Sequence, residues 1–426
     1  MMALIAELYP ICRSITGDGL RRSLEILGRQ VPLQMREVPS GTPILDWTVP
    51  KEWNVRGAYI ATLDGRRIVD FADSNLHILQ YSRPIDRIVA IDELQEHLHS
   101  LPDAPDWIPY RTAYFADTWG FCLTQRQRDS LSDSHYRVVI DATLADGHLT
   151  YGELLLQGAS TEEALFSCHS CHPSLANDNL SGMAVATMLA RHLMGAPHRL
   201  TYRFLFIPGM LGSLTWLARN EGVIPRIRHG LVLSCLGDAG TVTYKKSRCG
   251  SAAIDRYVEH VLRHRGTSHR IVPFSPYGYD ERQYCSPGFD MPVGCLMRSP
   301  NGTFPEYHTS ADNLDFMRPE SLVDSLETLK RIVEIIECDV TYRSLNPKGE
   351  PQLGRRGLYK PISGQKDAND DSQMALLWTL NLADGRHSLF EMAERSGLPF
   401  ATIKTAADAL RDKELLETVY SPDPST

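Results

Sequence analysis

The chain has no surplus of positive charge. Its 44 Lys and Arg face 52 Asp and Glu, a formal net charge of −8, whereas nucleic-acid binders carry a basic surplus or patch. No apolar run approaches the roughly 18 residues that a membrane-spanning helix needs. The start, MMALIAELYPICRSITGDGL, lacks a basic segment ahead of an apolar one and meets Pro10 and Arg13 early, which argues against a signal peptide. Paired cysteine spacing is missing too: nine cysteines, an odd number, are scattered along the chain. That excludes a disulfide framework and reads as reduced thiols in a cytoplasmic protein. There is no internal repeat and no low-complexity tract. What is present, 42% hydrophobic and 23% charged residues over 426 positions, is the composition of a globular protein of two or three domains.

Between Ala3 and Leu27 the apolar positions Leu4, Ile5, Leu8, Ile11, Ile15, Leu20, Leu24 and Leu27 suit one or two amphipathic helices. From Val38 to about Trp107 the character changes to short alternating runs with turn signals at Asp64-Gly65 and Asp73-Ser74, a small antiparallel β unit inserted over 38–108. A strand–helix alternation follows, with strands at Tyr136 to Ile140, Gly152 to Gln157, Ala164 to Cys168, Tyr202 to Ile207 and Gly230 to Leu236. Helical stretches at Met183 to His192, Ser213 to Asn220 and Ala252 to Arg263 lie between or after them. This argues for an α/β domain, 1–37 with 109–342, built on a mainly parallel sheet flanked by helices and closed by a helix from Pro319 to Glu337. Asn346 to Lys366, rich in Pro, Gly and charge, reads as a linker. The tail has the order helix, helix, tight turn at Gly397-Leu398-Pro399, helix and strand, which is that of a winged helix over 343–426.

Chemistry concentrates in CHSCHPSLANDNLSG, Cys168 to Gly182. An apolar strand leads into it and a helix leads out, and strand C-terminal ends are where open α/β sheets hold ligands. His172 and Asp178 supply imidazole and carboxylate, a set that suits zinc; Asp178 between two Asn would equally serve as a helix cap. Asp238 follows the apolar run LVLSCLG, as a ligand or as a turn residue before Gly. His308, in FPEYHTSADN, stands near Glu306 and Asp312 and reads as a ligand with carboxylate support or as part of a capping loop. Asp280, Glu281 and Arg282 lie in a polar, Pro/Gly-bounded segment that suits either a substrate pocket or a solvated loop. Cys168 and Cys171 have no second pair at zinc-ribbon spacing, which sets aside a structural zinc or redox site.

Taken together, CHPSLANDNLSG, YRFLFIP followed by LGS, then GDAG and EYHTSADN resemble the zinc-dependent aminopeptidase superfamily with co-catalytic metal sites. WTVPKEWNVRGAYI, DSNLHILQYSRPI, IPYRTAYFADTWGFCLT, DERQYCSPGF and LGRRGLY are similar to its bacterial aminopeptidase-like branch, which carries a β-rich insertion and a C-terminal winged helix. The resemblance spans nearly the whole chain. It implies one or two zinc ions, with His172 as first ligand, Asp178 bridging, Asp238 sharing the metal of His172, and His308 on the other metal. It also implies a cis peptide after Asp178. The substrate implied is a peptide or small aminoacyl or amide compound; from their own segments, Asp280, Arg282 and Tyr307 are expected as pocket residues.

One position departs from the pattern. Relatives place Glu after the strand that here ends Ile207-Pro208, and Gly209 stands there instead. Without that acid, Glu306 or Glu281 would have to accept the proton of an attacking water from another loop. A cyclising relative that needs no hydrolytic water, a non-catalytic binder and a winged-helix regulator therefore stay open as alternatives. In the tail, the helix from Ala401 to Lys413 offers only Lys404, Arg411 and Lys413 as cations among Asp408, Asp412 and Glu414. A major-groove reader needs a basic or amide face, so packing against the α/β domain or a neighbouring subunit of a homo-oligomer is expected rather than DNA binding.

Overall fold

The runs Glu163–His169, Thr201–Ile207 and Ile227–Leu233 bury all or nearly all of their residues. Burial on both faces marks strands inside a covered parallel sheet. In the computed structural model, which describes residues 1–359 and 371–419, these three runs form the middle of an eight-stranded sheet. Its strands in chain order are β1 (Gln34–Pro39), β2 (His148–Leu156), β3 (Glu163–His169), β4 (Thr201–Ile207), β5 (Ile227–Leu233), β6 (Val242–Lys245), β7 (His269–Val272) and β8 (Val293–Met297). Across the sheet the order is β1-β2-β4-β3-β5-β8-β6-β7. The central β4, β3, β5 and β8 run parallel. β2 and β1 extend one side antiparallel, and β6 turns antiparallel to β8 on the other.

Helix α1 (Gly182–Leu193) leaves the loop after β3 and packs on β3, β4 and β5; α2 (Leu211–Arg219) follows β4. Parallel neighbours require such crossovers, and the crossovers leave the C-terminal strand ends open to loops. The N-terminal segment folds as two helices, Met2–Leu8 and Asp18–Gly28, as expected.

The small antiparallel sheet is larger than expected. It contains Glu52–Ala61, Arg67–Asp70, Ile85–Ala90 and His135–Ala145. The run Tyr136 to Ile140, read above as the first strand of the main sheet, therefore belongs to the insertion, which reaches Ala145 rather than residue 108. Its alternating burial, with Tyr136, Val138 and Ile140 inside, fits a sheet with one face covered. Val38 conversely lies in β1 of the main sheet.

The chain divides into two compact units: Met1–Ile254 with Ser268–Glu327, and Asp255–Thr267 with the residues from Thr328 on. The helix Pro319–Cys338 thus spans the division expected at 342. In the second unit Thr341–Ser344 is the middle strand of a three-stranded antiparallel sheet, between Asp384–Ser388 and Leu416–Val419. Helices Ser372–Leu382, Leu389–Ser396 and Phe400–Asp412 complete the winged-helix order. Local chemistry sets their limits: Ser388 and Glu391 form a capping box, and Gly397 ends its helix at φ 69°. The expected linker, 346–366, lies partly outside the described residues.

Candidate metal centre

β3 delivers His169 at its C-terminal end, and the following loop carries His172 and Asp178 before α1 begins. The loop is held by a dense set of hydrogen bonds. Arg13, buried at 1% exposure, donates to the carbonyls of His172 (2.8 Å), Pro173 (3.1 Å) and Leu8 (2.6 Å). Asp312 accepts the backbone N–H groups of Asn177 (2.6 Å) and Asp178 (2.9 Å). Asn179 donates to the Leu233 carbonyl at 2.9 Å and accepts the Cys235 N–H at 3.1 Å. A Cβ at Gly182 would overlap the Asn179 amide and the Leu233 carbonyl, so only glycine lets α1 start this close to β5. The Asp178–Asn179 peptide is cis, as the resemblance implies.

Three imidazoles surround the Asp178 carboxylate. His169 Nε2 donates to Oδ1 at 2.6 Å; its Nδ1 faces the Asn179 amide at 3.4 Å, which fixes the proton on Nε2. His172 Nδ1 lies 3.8 Å from Oδ1 and His308 Nε2 3.0 Å from Oδ2. The second distance lacks hydrogen-bond geometry: His172 Nδ1, Asp178 Oδ2 and His308 Nε2 are all buried atoms without a hydrogen-bond partner. Buried polar atoms are otherwise almost always paired. Imidazole nitrogen and carboxylate oxygen are the donors zinc takes, and His308 Nε2 and Asp178 Oδ2, 3.0 Å apart, form one such pair. His169, His172 and Asp178 also place ligand atoms within 4.8 Å of one another.

The charge states suit this. Burial pushes the His172 imidazole well below its usual range, with Asp178 opposing and His169 and His308 adding to the depression. Burial works against ionisation of Asp178, but the His172 and His169 imidazoles, the hydrogen bond from His169 and the neighbouring His308 outweigh it and hold the carboxyl well below the usual range. Neutral imidazole and ionised carboxylate are the ligand forms metals take. His308 has φ 57°, in the left-handed region, and Met210 (φ 59°) and Cys235 (φ 49°) on flanking loops share it. Non-glycine residues held there cluster at functional sites.

The other expected site residues are placed differently. Asp238 is turned into its own loop: it accepts from Asn177 Nδ2 (2.7 Å), Ser299 Oγ (2.8 Å) and the Gly240 N–H (2.5 Å). It holds the Asn177 side chain rather than facing the imidazoles. Glu281 is paired with Lys245 and accepts the Tyr279 N–H at 3.1 Å, so it is not free to take a proton. Asp280, fully buried, accepts the Met210 N–H (2.9 Å) and the Ser213 hydroxyl (2.8 Å) at the start of α2. Burial raises its carboxyl to about 6. Arg282 reaches the Met210 sulfur. Of the three expected pocket residues only Tyr307 lines the cleft, stacked on His308 with ring centroids 3.9 Å apart.

Gly209 has a steric cause. A Cβ there would overlap the Tyr279 ring. That ring packs on His169 at 4.0 Å, and its hydroxyl lies 3.3 Å from His172 Nε2 and 3.6 Å from Cys171 Sγ. Tyr279 therefore fills the place an acidic side chain at 209 would need. Burial pushes its phenol well above the ordinary value, so it acts as a neutral hydroxyl and not as a base. Cys171 accepts the Gly209 N–H at 3.2 Å, and burial raises its thiol to about 12; it is free, as is Cys168.

His172 and His308 open on a cleft of about 620 Å³ whose walls include Tyr110, Tyr114, Phe115, Tyr279 and Tyr307. Tyr110 stands edge-on to both imidazoles, 5.1 Å from each. The volume suits a small molecule. Glu306 is not among the lining residues.

Several of these residues escaped the sequence reading. His169 had one usable signal, its place as last residue of an apolar run. Asp312, expected as carboxylate support for His308, instead accepts the Asn177 and Asp178 N–H groups. Arg13, Tyr110 and Tyr279 had none, because distant segments bring them in.

The family described as "Domain of unknown function (DUF4910)" matches residues 2–339, and a winged helix-turn-helix family matches 340–418. A Clostridium acetobutylicum protein described as "Putative polysaccharide biosynthesis protein with aminopeptidase-like domain" is 49% identical over 416 residues, 98% of this chain and 95% of its own length. A crystal structure from the same species, described as a "putative peptidase", superposes with a TM-score of 0.93 at 47% identity, covering 98% of this chain and 96% of that one. The zinc aminopeptidase of Bacillus subtilis shares the fold, with a TM-score of 0.57 at 14% identity over 79% of this chain and 94% of its own. The aminopeptidase fold and the appended winged helix expected from the sequence are therefore both present.

Proposed function

We propose, from the premise that this chain belongs to the DUF4910 family and is aminopeptidase-like, that it binds zinc through His172, Asp178 and His308 and cleaves or rearranges a small acyl or amide compound in the cleft beside them. The observation that carries this is the cluster of His169, His172 and Asp178, whose ligand atoms lie within 4.8 Å of one another, with the unpartnered His308 Nε2 3.0 Å from Asp178 Oδ2. The zinc chemistry of the Bacillus subtilis neighbour supports it. Zinc, when bound, supplies Lewis-acid polarisation of an acyl carbonyl. The chain's own groups do the rest. His169 fixes the Asp178 carboxylate through Oδ1 and leaves Oδ2 free. Tyr110 and Tyr307 orient the imidazoles and keep bulk water from the floor of the cleft. The Tyr279 hydroxyl, held beside His172, is placed to donate to an oxygen of the bound compound.

A second reading, a non-hydrolytic acyl reaction or simple binding, draws on the Tyr279 ring over Gly209, which leaves no carboxylate to deprotonate water there. Metal analysis of the purified full chain, with hydrolysis of aminoacyl and acyl amides measured alongside, tests both. The first reading expects about one zinc per chain or more, lost in Asp178→Asn and His308→Ala, with amide turnover falling in step. Wild-type protein with only trace zinc would overturn the metal site. Full zinc with no turnover of any amide favours the second reading.

A further inference from the structure

The charges around the cleft are one-sided. Among the described residues that line it there is no aspartate and no glutamate, and Arg111 is its only side chain with a permanent charge. Asp178, which is not among the lining residues, accepts from His169 through Oδ1, and its Oδ2 is the atom assigned to the metal. Glu281 is paired with Lys245, Asp280 holds the start of α2 through Oδ1, and Asp238 accepts from Asn177 and Ser299. Arg111 is exposed, and its guanidinium enters no ion pair among the described residues.

A compound with a free amino-terminus brings an ammonium group. Taking that group out of water is unfavourable unless a carboxylate meets it, and this cleft has none to offer. Arg111 would add repulsion. The same guanidinium presents a planar fork that matches a carboxylate. Tyr110, Tyr114, Phe115 and Tyr307 in the lining give flat apolar walls with hydroxyls that suit a neutral amide beside an apolar group.

We propose that the cleft takes an N-acylated compound bearing a carboxylate, the class of N-acyl amino acids, with Arg111 as the residue that selects the anion, and that it rejects free amino-termini. This rests on the reading of the cleft as the acyl site beside the metal. It departs from that reading's simplest form, since an aminopeptidase requires the free amine that this lining disfavours.

Three probes with one ring and one backbone separate the charges: N-acetyltyrosine (carboxylate, no amine), N-acetyltyrosinamide (neither) and tyrosinamide (amine, no carboxylate). Titration calorimetry on the zinc-treated full chain is expected to rank them in that order. Arg111→Gln, an exposed substitution whose folding is checked by an unchanged melting temperature, is expected to weaken N-acetyltyrosine about fivefold and to leave N-acetyltyrosinamide unchanged. Tyrosinamide binding as tightly as N-acetyltyrosine, or no binding by any of the three, overturns the proposal. So does an Arg111→Gln variant that keeps the wild-type ranking. Zinc content, measured on the same samples, reports separately on the metal. A chain that ranks the probes as expected but holds no zinc retains the selectivity and loses the metal reading.

Discussion

Arg13 reaches from the N-terminal segment to hold two carbonyls of the loop that carries His172 and Asp178. Buried arginine is tolerated when its N–H groups are all received, and here burial lowers its guanidinium to about 10. Arg13→Met would leave three buried carbonyls without their donor, and destabilisation of about 3 kcal/mol is expected, measured by urea unfolding, together with weaker zinc binding. A shift below about 0.5 kcal/mol would show that the clamp is dispensable. Gly209 gives the second test at this scale. Because Tyr279 occupies the space, Gly209→Glu alone is expected to lose about 3 kcal/mol of stability and gain no hydrolysis. Adding Tyr279→Ala to Gly209→Glu should recover at least about 1 kcal/mol of that loss relative to additivity. Additive losses would mean that the ring is not what excludes the acid. Tyr279→Phe keeps the ring on His169 and is expected to leave zinc content unchanged, because the hydroxyl meets Nε2 of His172 and not the unpartnered Nδ1.

At the scale of elements, the winged-helix unit carries a pH-sensitive contact. His260, on the helix Ala253–His264, accepts the Phe400 N–H at 3.1 Å at the start of the helix Phe400–Asp412. Burial, with His264 and Arg263 adding to it, lowers its imidazole to about 4, against an ordinary value near 6.5. Below about pH 6.5 the unfolded chain therefore takes up a proton that the folded unit refuses until about pH 4. The stability this neutral imidazole contributes is fully present above 6.5 and is lost as the pH falls from 6.5 toward 4. The melting temperature of the wild type should fall through that window. His260→Gln, which keeps an acceptor but does not titrate, should flatten the slope. Equal slopes would remove His260 as the cause.

The elements were the most legible part of the sequence. Glu163–His169 and Thr201–Ile207 are short, apolar and bounded by turn residues, and local chemistry suffices to make them strands. Tyr136 to Ile140 has the same local character, and nothing within it says whether it pairs with β2 or with Glu52–Ala61. Sheet membership is a long-range choice, which is why the insertion's boundary was misplaced.

For the whole molecule, no helix of the described residues is long and apolar enough to cross a membrane. The helix Phe400–Asp412 turns its apolar residues Phe400, Ile403, Ala406, Ala407 and Leu410 inward. Two of its cations are taken by one acid: Lys404 lies 2.8 Å and Arg411 3.2 Å from Asp408. With a net charge of −8, the full chain is expected to show no duplex-DNA affinity tighter than about 1 μM at physiological salt. Fluorescence anisotropy checks this, and a tighter constant would return the winged helix to a DNA-reading role.

The sequence by itself determined the α/β pattern, the winged-helix tail and the loop that carries His172 and Asp178, because hydrophobic period, capping residues and turn chemistry act over a few residues. Only the tertiary structure decided which side chains meet. It brought His169 and His308 to Asp178, turned Asp238 away to hold Asn177, and laid Tyr279 over Gly209. Those outcomes depend on where loops from β3, β4, β5, β7 and β8 converge, and the free energy that settles them comes from buried hydrogen bonds between residues as much as 160 positions apart in the chain.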